Sequence, residues 1–244
     1  MQRVAKNAYV VEHAFTNCYL IVEDGAVTVV DACYPGTWPK VVDGLASIGR
    51  TVADIAGLLL THGHFDHVGF ARFLHDRFSI PVWVHEDDRW LAAHPYRYRP
   101  QTNRLVYPLR HPRSVPVLAR MVAAGALRVQ GVTATTTFRC GELNLPGSPV
   151  AVPTPGHTNG HSAFHFPNLD LLLSGDALVT LDPYTGRRGP RMVARAATAD
   201  LDQNRQSLIT LASFDARIVG PGHGPTWRDG SVSAVRLAQR AVYD

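Results

Sequence analysis

The sequence predicts an α/β protein, and three observations carry that prediction. Short apolar runs of strand length, such as Ile55–Leu60, alternate with segments whose apolar residues recur at helical spacing. Several runs end in glycine-rich turns that carry a histidine or an aspartate, the position where α/β sheets place their sites. The 244 residues are 45% hydrophobic and 18% charged, with 20 Gly and 17 Pro, which is richer in apolar residues than a disordered chain.

The elements follow in order. Tyr9–Phe15, Cys18–Val22 and Ala26–Ala32 read as strands, the last two joined by the hairpin signal Glu23-Asp24-Gly25. Ala32-Cys33-Tyr34-Pro35-Gly36 is a loop, and Thr37 caps a helix running to about Gly49. Ile55–Leu60 is a buried strand that stops abruptly at Thr61-His62-Gly63-His64-Phe65-Asp66-His67. A helix is expected next, with Val68, Ala71, Phe73, Leu74 and Phe78 as its apolar positions, then a strand at Pro81–His85. Residues 89–130 break the rhythm with eight Arg, five Pro, three Tyr and no Asp or Glu, mostly loop with a helix at Val115–Ala124. Strands resume at Val132–Phe138, Val150–Pro153, Ser162–Phe166 and Leu171–Leu173. Ala199–Phe214 and Ser231–Tyr243 are helical, around a strand at Ala216–Val219. No repeat and no low-complexity linker divides the chain. A single domain over 1–244 is therefore expected, with 89–130 as an inserted Arg/Pro-rich segment.

The net charge is +4, and of 24 basic residues only Lys6 and Lys40 are lysines. Arginine suits bidentate recognition of carboxylate or phosphate, although an Arg-rich genome produces the same bias and is the favoured explanation. Cys18, Cys33 and Cys140 are scattered, without CxxC spacing, and fit reduced thiols. No apolar run approaches the roughly 20 residues that cross a bilayer. The opening MQRVAKNAYVVEHAF enters a strand pattern rather than a secretory signal, so a cytoplasmic protein without a membrane partner is expected.

Histidine placement points to the chemistry. His62-x-His64-x-Asp66-His67 sets four good ligands within six residues at a strand end. Imidazole and carboxylate suit zinc, manganese or iron. In an extended segment His-x-His turns both rings to one side, so one ion takes both, while Asp66 and His67 lie beyond the turn and suit a second ion. His157 in Thr154-Pro155-Gly156-His157, Asp176 in Ser174-Gly175-Asp176 and His223 in Gly220-Pro221-Gly222-His223-Gly224 repeat the strand, turn and ligand pattern. Five histidines and two aspartates suffice for two ions sharing a carboxylate.

Taken together, the run Thr-His-Gly-His-Phe-Asp-His-Val-Gly and the later TPGHT, SGD and GPGHG segments resemble the metallo-β-lactamase superfamily, with Asp31 at the family's early aspartate. The resemblance extends from about Asn17 to Gly224. It implies an αββα sandwich with the metals at one edge between two sheets. It also implies two zinc ions (with iron or manganese as alternatives): His62, His64 and His157 on the first, Asp66, His67 and His223 on the second, and Asp176 bridging. Asp31 and His161 would support the ligands from behind. A water bridging the ions and deprotonated near neutral pH would be the nucleophile, held by Asp66 as the catalytic residue.

The resemblance further implies hydrolysis of an ester, thioester or lactone of a small molecule. A mononuclear iron persulfide dioxygenase is the main alternative, and a β-lactamase or a phosphodiesterase or nuclease a further one. Asp176 stands where one zinc β-lactamase subgroup has cysteine, and only 21 residues follow His223, where glyoxalase II carries a helical domain. Acyl-homoserine lactonases place a tyrosine at the position of Val179, for which Tyr184 is the candidate substitute. The 89–130 segment is expected over the site. Trp90, Tyr96, Tyr98 and Tyr107 would form an apolar wall, and Arg97, Arg99 or Arg104 would clamp a substrate carboxylate; a solvated surface excursion is the equal alternative. A small-molecule substrate is the expected partner and nucleic acid is not; oligomeric state stays open, with a homodimer among the options.

Overall fold

The computed structural model describes residues 1–103 and 107–243. Among them the chain begins as an antiparallel meander of β1 (Gln2–Ala5), β2 (Ala8–His13), β3 (Thr16–Glu23) and β4 (Ala26–Val30). Helix α1 (Trp38–Ser47) leads to β5 (Ile55–Leu59), and α2 (Phe65–Val68) with α3 (Ala71–Phe78) leads to β6 (Val82–His85). Helices α4 (Arg89–Ala93), α5 (Tyr107–Arg110) and α6 (Val115–Ala123) precede β7 (Thr136–Phe138). From β4 to β7 the pairing is parallel, as crossovers through helices require.

A second sheet holds β8 (Gly141–Glu142), β9 (Val150–Pro153), β10 (Ser162–Phe166), β11 (Leu171–Gly175) and, after an excursion, β14 (Ile218–Pro221), in the order β14-β11-β10-β9-β8. The excursion contains the ribbon β12 (Val179–Leu181) with β13 (Arg188–Arg191), then α7 (Leu201–Ala212); α8 (Ser231–Arg240) follows β14.

Period-two alternation along the strands of the two large sheets divides their apolar residues among three cores. Tyr19, Ile21, Val30 and Leu59 of the first sheet meet Phe164, Phe166, Leu171 and Leu173 of the second in the gap between the sheets. Leu20, Val27, Val29 and Leu58 point the other way, packing with Val41 and Leu45 of α1, Leu74 of α3, and Val117 and Met121 of α6. Ala163, Leu172 and Val219 face outward from the second sheet against Leu201, Leu208 and Leu211 of α7 and Ala234, Val235 and Ala238 of α8. Four layers result, helices outside two facing sheets, which is the expected αββα sandwich. Leu58 and Leu59, both fully buried and on opposite faces of β5, illustrate the driving force, at about 1.5–3 kcal/mol each.

Local differences have local reasons. The helix after the histidine run breaks at Gly69 and Phe70, because their amides turn to donate to the Cys33 and Ala32 carbonyls at 3.0 and 3.2 Å. Phe73 and Phe78 are 45% and 41% exposed rather than inward, and pack on Trp38, Phe73 edge-on and Phe78 tilted. Only Thr136–Phe138 of the expected Val132–Phe138 strand pairs, since its partner β6 is four residues long. Residues 89–130 belong to the β6-to-β7 crossover, and α6 within them covers the first sheet. Among the described residues no helix is long and apolar enough to cross a membrane.

Candidate metal centre

The strands end so that their following loops meet at one edge of the sandwich. Beyond β5, Asp31 takes up the backbone of the next loop: its Oδ1 accepts from the Thr61 amide at 2.8 Å. Asp31 itself sits in the left-handed region (φ +63°), which aspartate tolerates better than most residues. Its Oδ2 accepts the Thr61 hydroxyl at 2.9 Å and His67 Nδ1 at 2.8 Å.

The same device recurs on three more rings. With its proton committed to Asp31, the Thr61 oxygen accepts from His62 Nδ1 at 3.0 Å. Thr198, whose hydroxyl donates to the Val193 carbonyl, accepts from His157 Nδ1 at 3.2 Å. His223 Nδ1 donates to the Phe15 carbonyl at 2.9 Å. An Nδ1 proton fixed on an oxygen leaves the Nε2 lone pair pointing into the centre, the outer support that metal-binding histidines use. His64 is the exception: its Nδ1 faces His157 Nε2 at 3.0 Å.

These donors converge. His62, His64 and His157 form one group, His62, His67 and Asp176 another, and Asp66, His67 and His223 a third, with the ligand atoms of each within 4.8 Å of one another. Asp176 stands between the groups. Its Oδ2 lies 3.5 Å from His157 Nε2 and 3.3 Å from His223 Nε2, and its Oδ1 lies 3.5 Å from His67 Nε2. His223 Nε2 is also 3.3 Å from Asp66 Oδ2. Nε2 of His62, His64, His67 and His223 and Oδ1 of Asp176 are buried without a hydrogen-bond partner. Orphaned polar atoms are costly singly and seldom cluster, so five of them spread over these adjoining groups fit divalent cations.

The electrostatics agree with that fit. Burial, reinforced by neighbouring imidazoles, holds His62 well below its ordinary value and brings His64 and His157 to about 3, the neutral form that ligates. Burial also opposes charge on His67 and His223, but carboxylates outweigh it. Asp176 and Asp31 keep His67 raised, and Asp176 with Asp66 brings His223 to about 10. Asp176 is correspondingly held well below the carboxylate range by His223 and His67, against its burial. Protons on His67 and His223 thus occupy the electrostatic place a cation would take.

The turns admit little variation. A Cβ at Gly222 would lie 2.1 Å from Asp176 Oδ1 and 2.8 Å from His67 Cε1, so the β14 loop passes the ligands only as glycine. His161 uses both ring nitrogens on protein: Nδ1 pairs with Thr154 Oγ1 at 2.8 Å, and Nε2 accepts from the Asp176 and Ala177 amides at 3.0 and 3.2 Å. It therefore pins the loop that presents Asp176.

Asp88 is the residue that sequence reasoning missed. Buried behind the site, its Oδ2 accepts from the Gly63 amide at 2.8 Å and the Thr158 hydroxyl at 2.7 Å, while Oδ1 accepts from the Gly160 amide at 2.8 Å. One carboxylate thus ties the loop of His62 and His64 to the loop of His157. Burial raises its pKa, and the three donors pull it only partly back. The only sequence signal was its place at the end of Glu86-Asp87-Asp88, which reads as an exposed helix start.

A cavity of about 530 Å³ opens beside His64 and His157, and Trp90, Arg97, Tyr98 and Arg99 line it. The Tyr98 ring packs 4.4 Å from that of His64. Tyr96 does not line the cavity: it stacks on Phe65, and its hydroxyl donates to the Ala126 carbonyl and accepts from the Val129 amide. Tyr184 lies behind the wall, its hydroxyl 3.1 Å from that of Tyr98, with Tyr107 packed against it. Arg104 lies outside the described residues.

A family model described as the metallo-beta-lactamase superfamily matches residues 11–223. The chain is 30% identical over 167 residues to the uncharacterized protein YobT of Bacillus subtilis (strain 168), covering 66% of this chain and 61% of YobT, less than two thirds of that protein's length. It is 27% identical over 216 residues to the probable metallo-hydrolase YqgX of the same organism, covering 86% and 85%. Among solved structures it resembles TTHA1623 in a di-iron-bound form, with a TM-score of 0.63, 26% identity, and 90% and 93% of the two chains covered.

Proposed function

Because this chain belongs to the metallo-beta-lactamase superfamily, we propose that it is a dinuclear metallo-hydrolase acting on an ester, thioester or lactone of a small molecule. The observation that carries the reading is Asp176, whose Oδ2 lies between His157 and His223 and whose Oδ1 is turned to His67. His62, His64 and His157 would hold one cation and Asp66, His67 and His223 a second, with Asp176 shared. When bound, such cations supply Lewis acidity toward an acyl oxygen and lower the pKa of water toward neutrality. The name of YqgX supports the hydrolytic class, and the di-iron form of TTHA1623 supports a pair of ions on this fold.

The chain's own residues supply the rest. Asp66 has its Oδ2 toward His223 and stands as the acceptor that orients an attacking water. Asp31, Thr61, Thr198 and the Phe15 carbonyl fix the rings before substrate arrives, so no reorganisation is needed during reaction. Trp90 and Tyr98 form the side of the cavity against which an acyl group rests. The test is a panel of aryl esters, thioesters, lactones, β-lactams and phosphodiesters, assayed with the protein as purified, after chelation, and as Asp66→Asn. Acyl hydrolysis that chelation removes and Asp66→Asn reduces at least about a hundredfold is expected. Full activity in Asp66→Asn contradicts the assignment, and oxygen consumption with a persulfide in place of hydrolysis overturns the class.

A further inference from the structure

The cavity beside the metal centre has His64 and His157 on its inner side and Trp90 and Leu91 on an apolar side. At the rim stand Arg97 and Arg99, both exposed, and among the described residues neither is recorded in an ion pair or a side-chain hydrogen bond. Of the two acids in the lining, Asp88 spends its carboxylate on three internal donors, and Asp87 has its Oδ2 3.7 Å from His85 Nδ1, so the lining holds two guanidiniums against one remaining carboxylate. The intervening Tyr98 anchors the segment, through its ring against His64 at 4.4 Å and its hydroxyl 3.1 Å from Tyr184. The two arginines are therefore held at the mouth of the same cavity that ends at the candidate ligands.

We propose that Arg97 and Arg99 form an anion-binding rim that selects substrates carrying a carboxylate a few atoms from the scissile carbonyl, with their apolar portion against Trp90. Guanidinium is the group best shaped for a carboxylate, taking both oxygens in one plane. A cavity of about 530 Å³ suits a molecule of small-metabolite size. The inference rests on the hydrolase reading for the reaction and on the cavity alone for recognition, so the two are tested separately.

The turnover test compares phenyl hydrogen glutarate with its methyl ester, phenyl methyl glutarate, which differ only in the distal charge. The metal-loaded protein is expected to favour the acid at least about tenfold in kcat/KM, expressed in KM. Arg97→Ala/Arg99→Ala is expected to bring the acid-to-methyl-ester ratio of kcat/KM to within about twofold of one, and Arg97→Lys/Arg99→Lys to restore part of the preference. The binding test needs no turnover: calorimetric titration of N-phenylglutaramic acid and its methyl ester. Tighter binding of the acid by the wild type, lost about tenfold or more in the double alanine variant, supports the rim. Equal binding of the two, or a preference that survives removal of both arginines because the carboxylate binds metal instead, overturns it. Hydrolysis of neither ester with the binding preference intact refutes ester hydrolysis and leaves the rim standing.

Discussion

Replacing Asp88 by alanine probes how the two ligand loops are held together. The substitution deprives two backbone amides and one hydroxyl of their acceptor. A buried donor left unpaired costs about 1–3 kcal/mol. Because Asp88 also lines the cavity, water can reach the vacated positions, and loss of a carboxylate whose pKa burial has raised relieves some desolvation. Both effects favour the low end, about 1 kcal/mol per donor and about 3 kcal/mol in sum. For a domain of this size that is a fall in Tm of roughly 6–12 °C. Asp88→Asn keeps one oxygen acceptor but sets an amide against a donor, and is expected to lose about half as much. Chelator competition should show metal affinity weakened roughly tenfold or more in the alanine variant, since the loops it frees carry His62, His64 and His157. A Tm within about 2 °C of wild type together with unchanged affinity would refute the coupling of the loops through this carboxylate.

Other outcomes follow from the same geometry. Gly222→Ala would press a methyl group onto Asp176 and His67 and is expected to weaken metal binding more than tenfold in chelator competition while the sandwich still folds; unaltered affinity would mean that the close approach does not constrain the ligands. His62, His64 and His157 have folded pKa values below the unfolded value of about 6.5, so the unfolded chain protonates first. Stability of the metal-free protein is expected to fall as pH drops from about 6.5 toward 3, measured by urea unfolding. His67 and His223 have the opposite sign, and their contribution is complete below about 6.5 and lost as pH rises through the value of about 10 at His223. Cations replace those protons, so metal uptake at pH 7 to 8 should release about two protons, read from calorimetry in buffers of different ionisation enthalpy. Zero release would contradict the proton-occupied centre.

The sandwich and its ligand loops were legible because their signals are local. Ile55–Leu59 is a continuous apolar run, and His62, His64, His157, Asp176 and His223 each follow a strand within a few residues and beside a glycine. What supports those ligands was not legible, because it comes from far along the chain. His157 rests on Thr198, 41 residues away, and His223 on the Phe15 carbonyl, 208 residues away. Asp88 is the buried member of an acidic run whose other residues, Glu86 and Asp87, are exposed, and nothing in the run distinguishes it. Tyr96 and Tyr98 have the same residue type and adjoining positions, yet one braces the Ala126 turn and the other faces the cavity. The ribbon of β12 and β13 and the two-residue β8 were too short to carry a periodicity.

The central claim is a pair of cations sharing Asp176, and elemental analysis of protein purified without added metal tests it most directly. Close to two divalent metal ions per chain are expected, falling to about one in Asp66→Asn/His223→Ala, which removes donors from a single group. One ion per chain in the wild type, unaffected by that double substitution, would contradict a dinuclear centre.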